Sequence, residues 1–363
     1  MFIGCTALPK RFVQALILVS AVGGLFGCGV QGTPRPPQLE RPAKIADFTA
    51  LQVGQSLDVH FTLPQLTTDG ERLTKPLEVQ ILRALVSPDE GLAKLPPPAV
   101  WTHLIRQEWL PYAEGNSVTY SVHMTGQEFH DWRGRTLVVG VRTLTRGFRH
   151  RGIESDVSNL VDVPVFDVSE PLGSVRCVVT EKAVEVEFPA PTTTLSGAPV
   201  HDLSGYRVYR SSSGKPGSFN LLGKTVASPF RDTQFEFGHD YYYQVCAVFG
   251  PPGHLALSDT SLAVKVTPRD VFPPLPPQGL QGLYSAGAVE LIWTANSEVD
   301  LAGYNVYRLE DQTAVRMNKE LVRTPIFRDP SAPPRKTLTY FVTAVDLSGN
   351  ESVGSKKEEV ETK

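Results

Sequence analysis

The side chains that could do chemistry are few and scattered. The sequence has no GxSxG, no HExxH, no phosphate-cradling glycine loop and no CxxC. Those patterns would seat an activated serine, a zinc ion, a nucleotide or a redox pair. Eight histidines are spread along the chain. His123 and His130 are the nearest pair of interest, on either side of an expected strand end. A metal site needs several convergent ligands, so both are expected on the surface. Glu358, Glu359 and Glu361 read as a solvated acidic tail rather than a calcium site. The expectation is therefore a non-enzyme, with no catalytic residues, no metal and no other cofactor.

Charge is concentrated in one place. Between Trp132 and Gly152 stand Arg133, Arg135, Arg142, Arg146, Arg149 and Arg151, with no acid among them. Arginines near an anionic surface each contribute about 1 kcal/mol, screened by salt. Arg146, Arg149 and Arg151, with Phe148 and His150 among them, are the candidates for such a contact. The competing reading is a solvated loop balanced by Glu154 and Asp156. The whole chain has a net charge of −3, which gives no general case for nucleic acid.

The elements that position these residues follow from length and pattern. A chain of 363 residues implies two or three domains. Its 41% hydrophobic and 20% charged content is that of a globular chain. Thirty prolines cluster in a few stretches and read as linkers and strand punctuation. Lys10 and Arg11 precede an apolar run from Phe12 to Phe26. That run is of export-signal length, and shorter than the roughly 20 residues of a spanning helix.

The signal ends in Leu25-Phe26-Gly27-Cys28, which resembles the lipobox of bacterial lipoproteins. The resemblance implies cleavage after residue 27 and acylation (palmitate among the chains) of Cys28. The bland alternative is a cleaved signal with an incidental cysteine. Loss of Lys10 and Arg11 with the signal takes the net charge from −3 to −5. Residues 28–42, rich in proline, would form a semi-extended tether. Their opening is also similar to that of small lipoproteins associated with lipopolysaccharide assembly.

A phrase repeats. GYRVYR begins at Gly205 and GYNVYR at Gly303. AVEVEF (183–188) and AVELIW (288–293) precede them, PFRD (229–232) and IFRD (326–329) follow, and YYYQVCAV and LTYFVTAV end the series at Val248 and Val345. The flanking segments alternate apolar and polar residues, the period of half-buried strands. Matching strands with insertions confined to loops mark a repeated domain.

The repeat resembles fibronectin type III. Trp293 matches the family's strand B tryptophan, with Phe188 in its place in the earlier copy. GYNVYR resembles strand C, and Tyr340 to Ser352 resembles strand F and its following turn. Tyr241 stands at the tyrosine-corner position, where the last copy has Leu338. A divergent first copy has SLDVHFTLP (56–64), LEVQILRA (77–84) and TLVVGVRTL (136–144) as strands B, C and F. An insertion between C and F holds Trp101 and Trp109.

The resemblance implies an all-β chain of three tandem immunoglobulin-like β-sandwiches. The expected divisions are 1–27 signal, 28–42 tether, and domains at 43–167, 168–269 and 270–363. Stiff proline-rich joints at 162–173 and 267–280 predict a rod. Cys177 is expected inward on strand A and Cys246 outward on strand F, in opposite sheets, so both remain free thiols. The loop with Arg146, Arg149 and Arg151 falls between strands F and G of the first domain, at the pole nearest the tether.

The function expected is non-catalytic binding or scaffolding by an envelope lipoprotein. It would be held to the membrane by its lipid, in the outer membrane where the organism has one, and would bind a protein or glycan partner. The alternative is an envelope-biogenesis component, in lipopolysaccharide or outer-membrane assembly, using the basic loop. A third class, an enzyme hidden in the first-domain insertion, requires a pocket near Trp101, Trp109 and Trp132.

Overall fold

The computed structural model describes residues 39–86, 98–147 and 151–363. They form three β-sandwiches in series, each built on its own hydrophobic core. The period-2 pattern decides which side chains enter these cores. In the strand Ser56–Thr62, Leu57, Val59 and Phe61 are buried while Asp58, His60 and Thr62 face away. In Ala288–Thr294, Val289, Leu291 and Trp293 are buried between Glu290, Ile292 and Thr294.

The first sandwich contains β1 (Thr49–Val53), β2 (Ser56–Thr62), β3 (Glu78–Val86) and β4 (Ala99–Leu104). A short helix α1 (Arg106–Trp109), β5 (Ala113–Glu114), β6 (Ser117–His123) and α2 (Gly126–Trp132) follow. β7 (Thr136–Arg146), β8 (Gly152–Glu154) and β9 (Val161–Pro164) complete it. β1, β2, β6 and β5 form one sheet; β4, β3 and β7 form the other, with β8 and β9 both on β7. A capping box starts α2: Thr125 Oγ1 accepts from Glu128 N at 3.2 Å, and Thr125 N donates to Glu128 Oε2 at 2.9 Å.

The second sandwich has β10 (Arg176–Val179), β11 (Val184–Glu187), β12 (Leu203–Ser211), β13 (Asn220–Thr225) and β14 (Phe230–Asp232). It ends with β15 (Tyr241–Phe249), β16 (Ala256–Leu257) and β17 (Val264–Val266). The third has β18 (Gln278–Ser285), β19 (Ala288–Thr294), β20 (Leu301–Glu310) and β21 (Thr313–Arg316). β22 (Ile326–Asp329), β23 (Thr337–Asp346) and β24 (Glu358–Glu361) close it. In both, a three-stranded sheet (β10-β11-β14, β18-β19-β22) faces a four-stranded one (β13-β12-β15-β17, β21-β20-β23-β24). This is the fibronectin type III strand arrangement expected from the repeat.

Two findings depart from the sequence reading. Glu358, Glu359 and Glu361 are not a solvated tail. They belong to β24, which pairs with β23 and inserts Val360 into the core. One apolar residue in four is too weak a pattern to announce a strand.

The second departure is the joint between the first two sandwiches, where the linker spaces nothing apart. β16 pairs with β15 on one side and, in parallel, with β1 on the other: Gln52 opposes Ala256 and Val53 opposes Leu257. The sheets of the two domains thus run on as one nine-stranded sheet. Loop length is the reason. The partners Val248 and Leu257 stand nine positions apart, against six for their counterparts Val345 and Glu351 in the third domain. The longer hairpin carries β16 past its own sandwich to the edge of β1.

Candidate interaction sites

The repeated phrase encodes a buried polar tie. In the second domain Asp232, on the three-stranded sheet, accepts at Oδ2 from Arg210 Nη1 at 2.7 Å and from the Tyr243 hydroxyl at 2.6 Å, both on the opposite sheet. In the third, Asp329 Oδ2 accepts from Arg308 Nη1 and the Tyr340 hydroxyl, each at 2.7 Å. Asp232 and Asp329 are 2% and 1% exposed. Burial opposes ionisation of Asp329. Hydrogen bonds from Ser331 and Tyr340 and the charge of Arg308 outweigh it and hold the carboxyl below its usual value. The same desolvation, with the carboxylate's proximity, pushes the Tyr243 and Tyr340 hydroxyls up.

The glycines of the phrase are explained as well. Gly205 and Gly303 have φ of 149° and 158°, and a Cβ on either would lie 2.8 Å from the carbonyl oxygen of Thr225 or Val322. Tyr206 packs on Phe188 at 4.7 Å and Tyr304 edge-on to Trp293 at 5.1 Å. The Tyr241 hydroxyl accepts from Glu236 N at 3.0 Å, a corner bond that the core residue Leu338 does not make.

Of the clustered arginines, Arg133, Arg142 and Arg146 are paired with acids, while Arg135 is exposed and makes no ion pair among the described residues. Arg146 ends β7 rather than lying in a loop, and grips Glu78 with Nε at 2.6 Å and Nη2 at 3.1 Å. His103 Nε2 stands 2.8 Å from the same carboxylate. Burial opposes ionisation of Glu78, but Arg146 and His103 together hold it below its usual value. Arg142 pairs with Glu154 at 2.6 Å, Arg133 with Asp167 at 3.1 Å and Arg83 with Glu128 at 3.2 Å. Arg151 is exposed and makes no ion pair among the described residues. Arg149, Phe148 and His150 lie outside the described residues, as does Cys28.

The described chain begins at the pole anticipated for this hairpin. Thr145 Oγ1 donates to Glu40 O at 2.6 Å, Arg41 Nε donates to Glu154 O at 3.0 Å, and Arg41 Nη2 meets Asp156 at 2.7 Å. Trp109 and Trp132 are buried and Trp101 packs against the same core. Arg83 lies over Trp132 at 4.2 Å, and Trp109 Nε1 donates to Leu77 O at 3.1 Å. Among the described residues, these tryptophans of the insertion and of α2 pack into or against the core. His123 faces Ser56 and His130 faces Arg133, so the two do not converge.

Both cysteines are free, on opposite sheets. Cys177 faces the core of the second domain. Cys246 points away from that core, as expected, yet it is buried. With Val248 and Leu257 it forms a fourth cluster, closed by Leu51 and Val53 of the first domain and by Tyr209 and Leu255. Sequence reasoning missed this seam.

It also missed three carboxylates at the second joint. One oxygen each of Asp270, Asp300 and Asp346 lies within 4.8 Å of the others. Hydrogen bonds within the joint already engage two of them. Asp346 accepts from Asn350 N and Nδ2 at 2.8 Å each, and Asp270 accepts from Ser348 Oγ at 2.8 Å. Among the described residues no helix is long and apolar enough to cross a membrane.

No family model and no curated protein matches the sequence. Solved structures do. A Fn3-like protein from Clostridium thermocellum aligns over 25% of this chain and 94% of its own, at 20% identity and a TM-score of 0.22. The FN1–FN3 domains of chicken CNTN1 align over 89% of this chain and 99% of theirs, at 13% identity and a TM-score of 0.26. Both are of the sandwich type already given by the strand order, and at these scores neither adds a function.

Proposed function

We propose that the chain is a non-catalytic scaffold of the cell envelope, tethered by acylated Cys28, that presents fibronectin type III-like domains at fixed spacing to a protein or glycan partner. The observation that carries this reading is the nine-stranded sheet, which makes one body of the first two domains. A joint tied by side chains to the third extends it. Fixed geometry serves display, because less ordering entropy is lost on binding. The anchor reading rests on Lys10, Arg11, the apolar run and Leu25-Phe26-Gly27-Cys28. Eleven residues from Cys28 to Leu39 span at most about 40 Å, so the first domain would stay near the membrane. The biogenesis reading through the basic loop is not adopted, since Arg146 is already engaged by Glu78.

The test is cross-linking of the intact protein in its native envelope, beside Cys28→Ala. A membrane-associated chain with one dominant protein or glycan partner, both lost in the variant, is the expected result. A variant that stays membrane-bound, or a wild type that captures nothing specific, would overturn the reading.

A further inference from the structure

Two adjoining hollows open at the fused sheet. One, of about 310 Å³, is bounded by Gly205, Arg207, Lys224, Val226, Val248 and Leu255. The other, of about 240 Å³, reaches between the first two domains and is bounded by Leu51, Val161, Asp162, Arg207, His254 and Leu255. Arg207 and Leu255 line both, so the two form one bent cleft. Its size and its place between domains suit a small ligand.

Two cations stand at the cleft without a carboxylate partner among the described residues, as Lys182 and Lys215 do elsewhere in the second domain. Arg176, Arg210, Arg231 and Lys265 of the second domain each pair with an acid. Arg207 and Lys224, cross-strand neighbours on β12 and β13, have no carboxylate at ion-pair distance among the described residues. The third domain has Asn305 and Leu321 at the equivalent positions, and Asn305 is bonded to Glu351 at 3.1 Å. The pair of unmatched cations over an apolar floor therefore belongs to the second domain and not to the repeat.

We propose that this cleft binds a small amphiphile with one carboxylate head and an unbranched apolar chain. The head lies between Arg207 and Lys224, where charge-assisted hydrogen bonds hold it. The chain runs along Val248 and Leu255 towards Leu51 and Val161. Asp162 at the far end repels an anion there and so fixes the direction of entry. The inference is independent of the scaffold reading above.

Decanoate and decanol are the probes, titrated calorimetrically into the full chain. Decanoate is expected to saturate a single site, with decanol about tenfold weaker. Val226 is 84% exposed at the rim, so substitution there leaves the fold intact. Val226→Glu is expected to weaken decanoate binding about tenfold, and Val226→Lys to preserve or strengthen it. Arg207→Met with Lys224→Met should weaken it by at least about tenfold. No saturable binding of decanoate, equal binding of decanol, or identical behaviour of the two Val226 variants would overturn the proposal. So would an apolar peptide with a free terminal carboxylate that binds the cleft and is not displaced by decanoate.

Discussion

Asp329 joins Arg308 and Tyr340 across the third sandwich, and Asp232 repeats the arrangement in the second. Removing one partner of such a group leaves a buried charge unmatched, at a cost of about 3–5 kcal/mol. Asp232→Ala, which leaves Arg210 without a carboxylate partner, is therefore expected to destabilise the second domain by that amount, read as loss of hydrogen-exchange protection in β15. Asp329→Ala is expected to cost less, because Arg308 keeps Glu310. Because the folded pKa of Asp329 lies below its unfolded one, its stabilising contribution is complete above the ordinary carboxylate value of 3.8. It is lost as pH falls through the lower folded value. Asp329→Asn should flatten that part of the acid-denaturation curve; an unchanged curve would remove Asp329 from the account. The sequence announced these residues by repetition but not their purpose. Arg308, Asp329 and Tyr340 stand 21 and 11 positions apart and meet only when two sheets face each other.

The seam between the first two domains belongs to the scale of elements. Gln52, 0% exposed, donates to Phe166 O and accepts from Phe166 N, both at 2.9 Å, so the linker is stitched to β1. Gln52→Leu strands both backbone groups and is expected to cost about 1–3 kcal/mol for each, with faster exchange of the Phe166 amide as the readout. The thiols report on the same place. Burial pushes Cys177 up to about 12 and Cys246 up to about 11, and the thiolate is the reactive form. Neither should label in the folded protein near neutral pH. Leu257→Asp is expected to open the seam and speed maleimide labelling of Cys246 while leaving Cys177 slow. Equal acceleration of both would mean global unfolding and no local seam. The free thiols and the directions they face were legible in the sequence, but the seam was not. β16 is two residues long and its partner lies about 200 residues upstream, while Cys246 alternates as an outward residue should.

At the scale of the molecule, three sandwiches need not mean three independent units. The first two share a sheet and the cluster around Cys246. The third is met by a linker whose Leu275 N donates to Glu298 at 2.8 Å. Calorimetry is expected to show two cooperative transitions. Phe61→Ala, a core change costing about 3–5 kcal/mol, should lower the one shared by the first two domains and spare the other. Three transitions, with only the first moved, would show that the shared sheet does not couple its halves. Three repeats and their core strands could be read from alternation and repetition; their coupling could not, because it rests on three extra residues in one hairpin. The same hairpin sets a schedule. β1 is an edge strand until β16 docks on it, and β16 lies about 200 residues further along the chain, in a domain that must first form its own core. Throughout that interval a finished first domain offers an unpaired edge to its neighbours. Newborn chains that stall before residue 257 are thus the ones most apt to stick to one another.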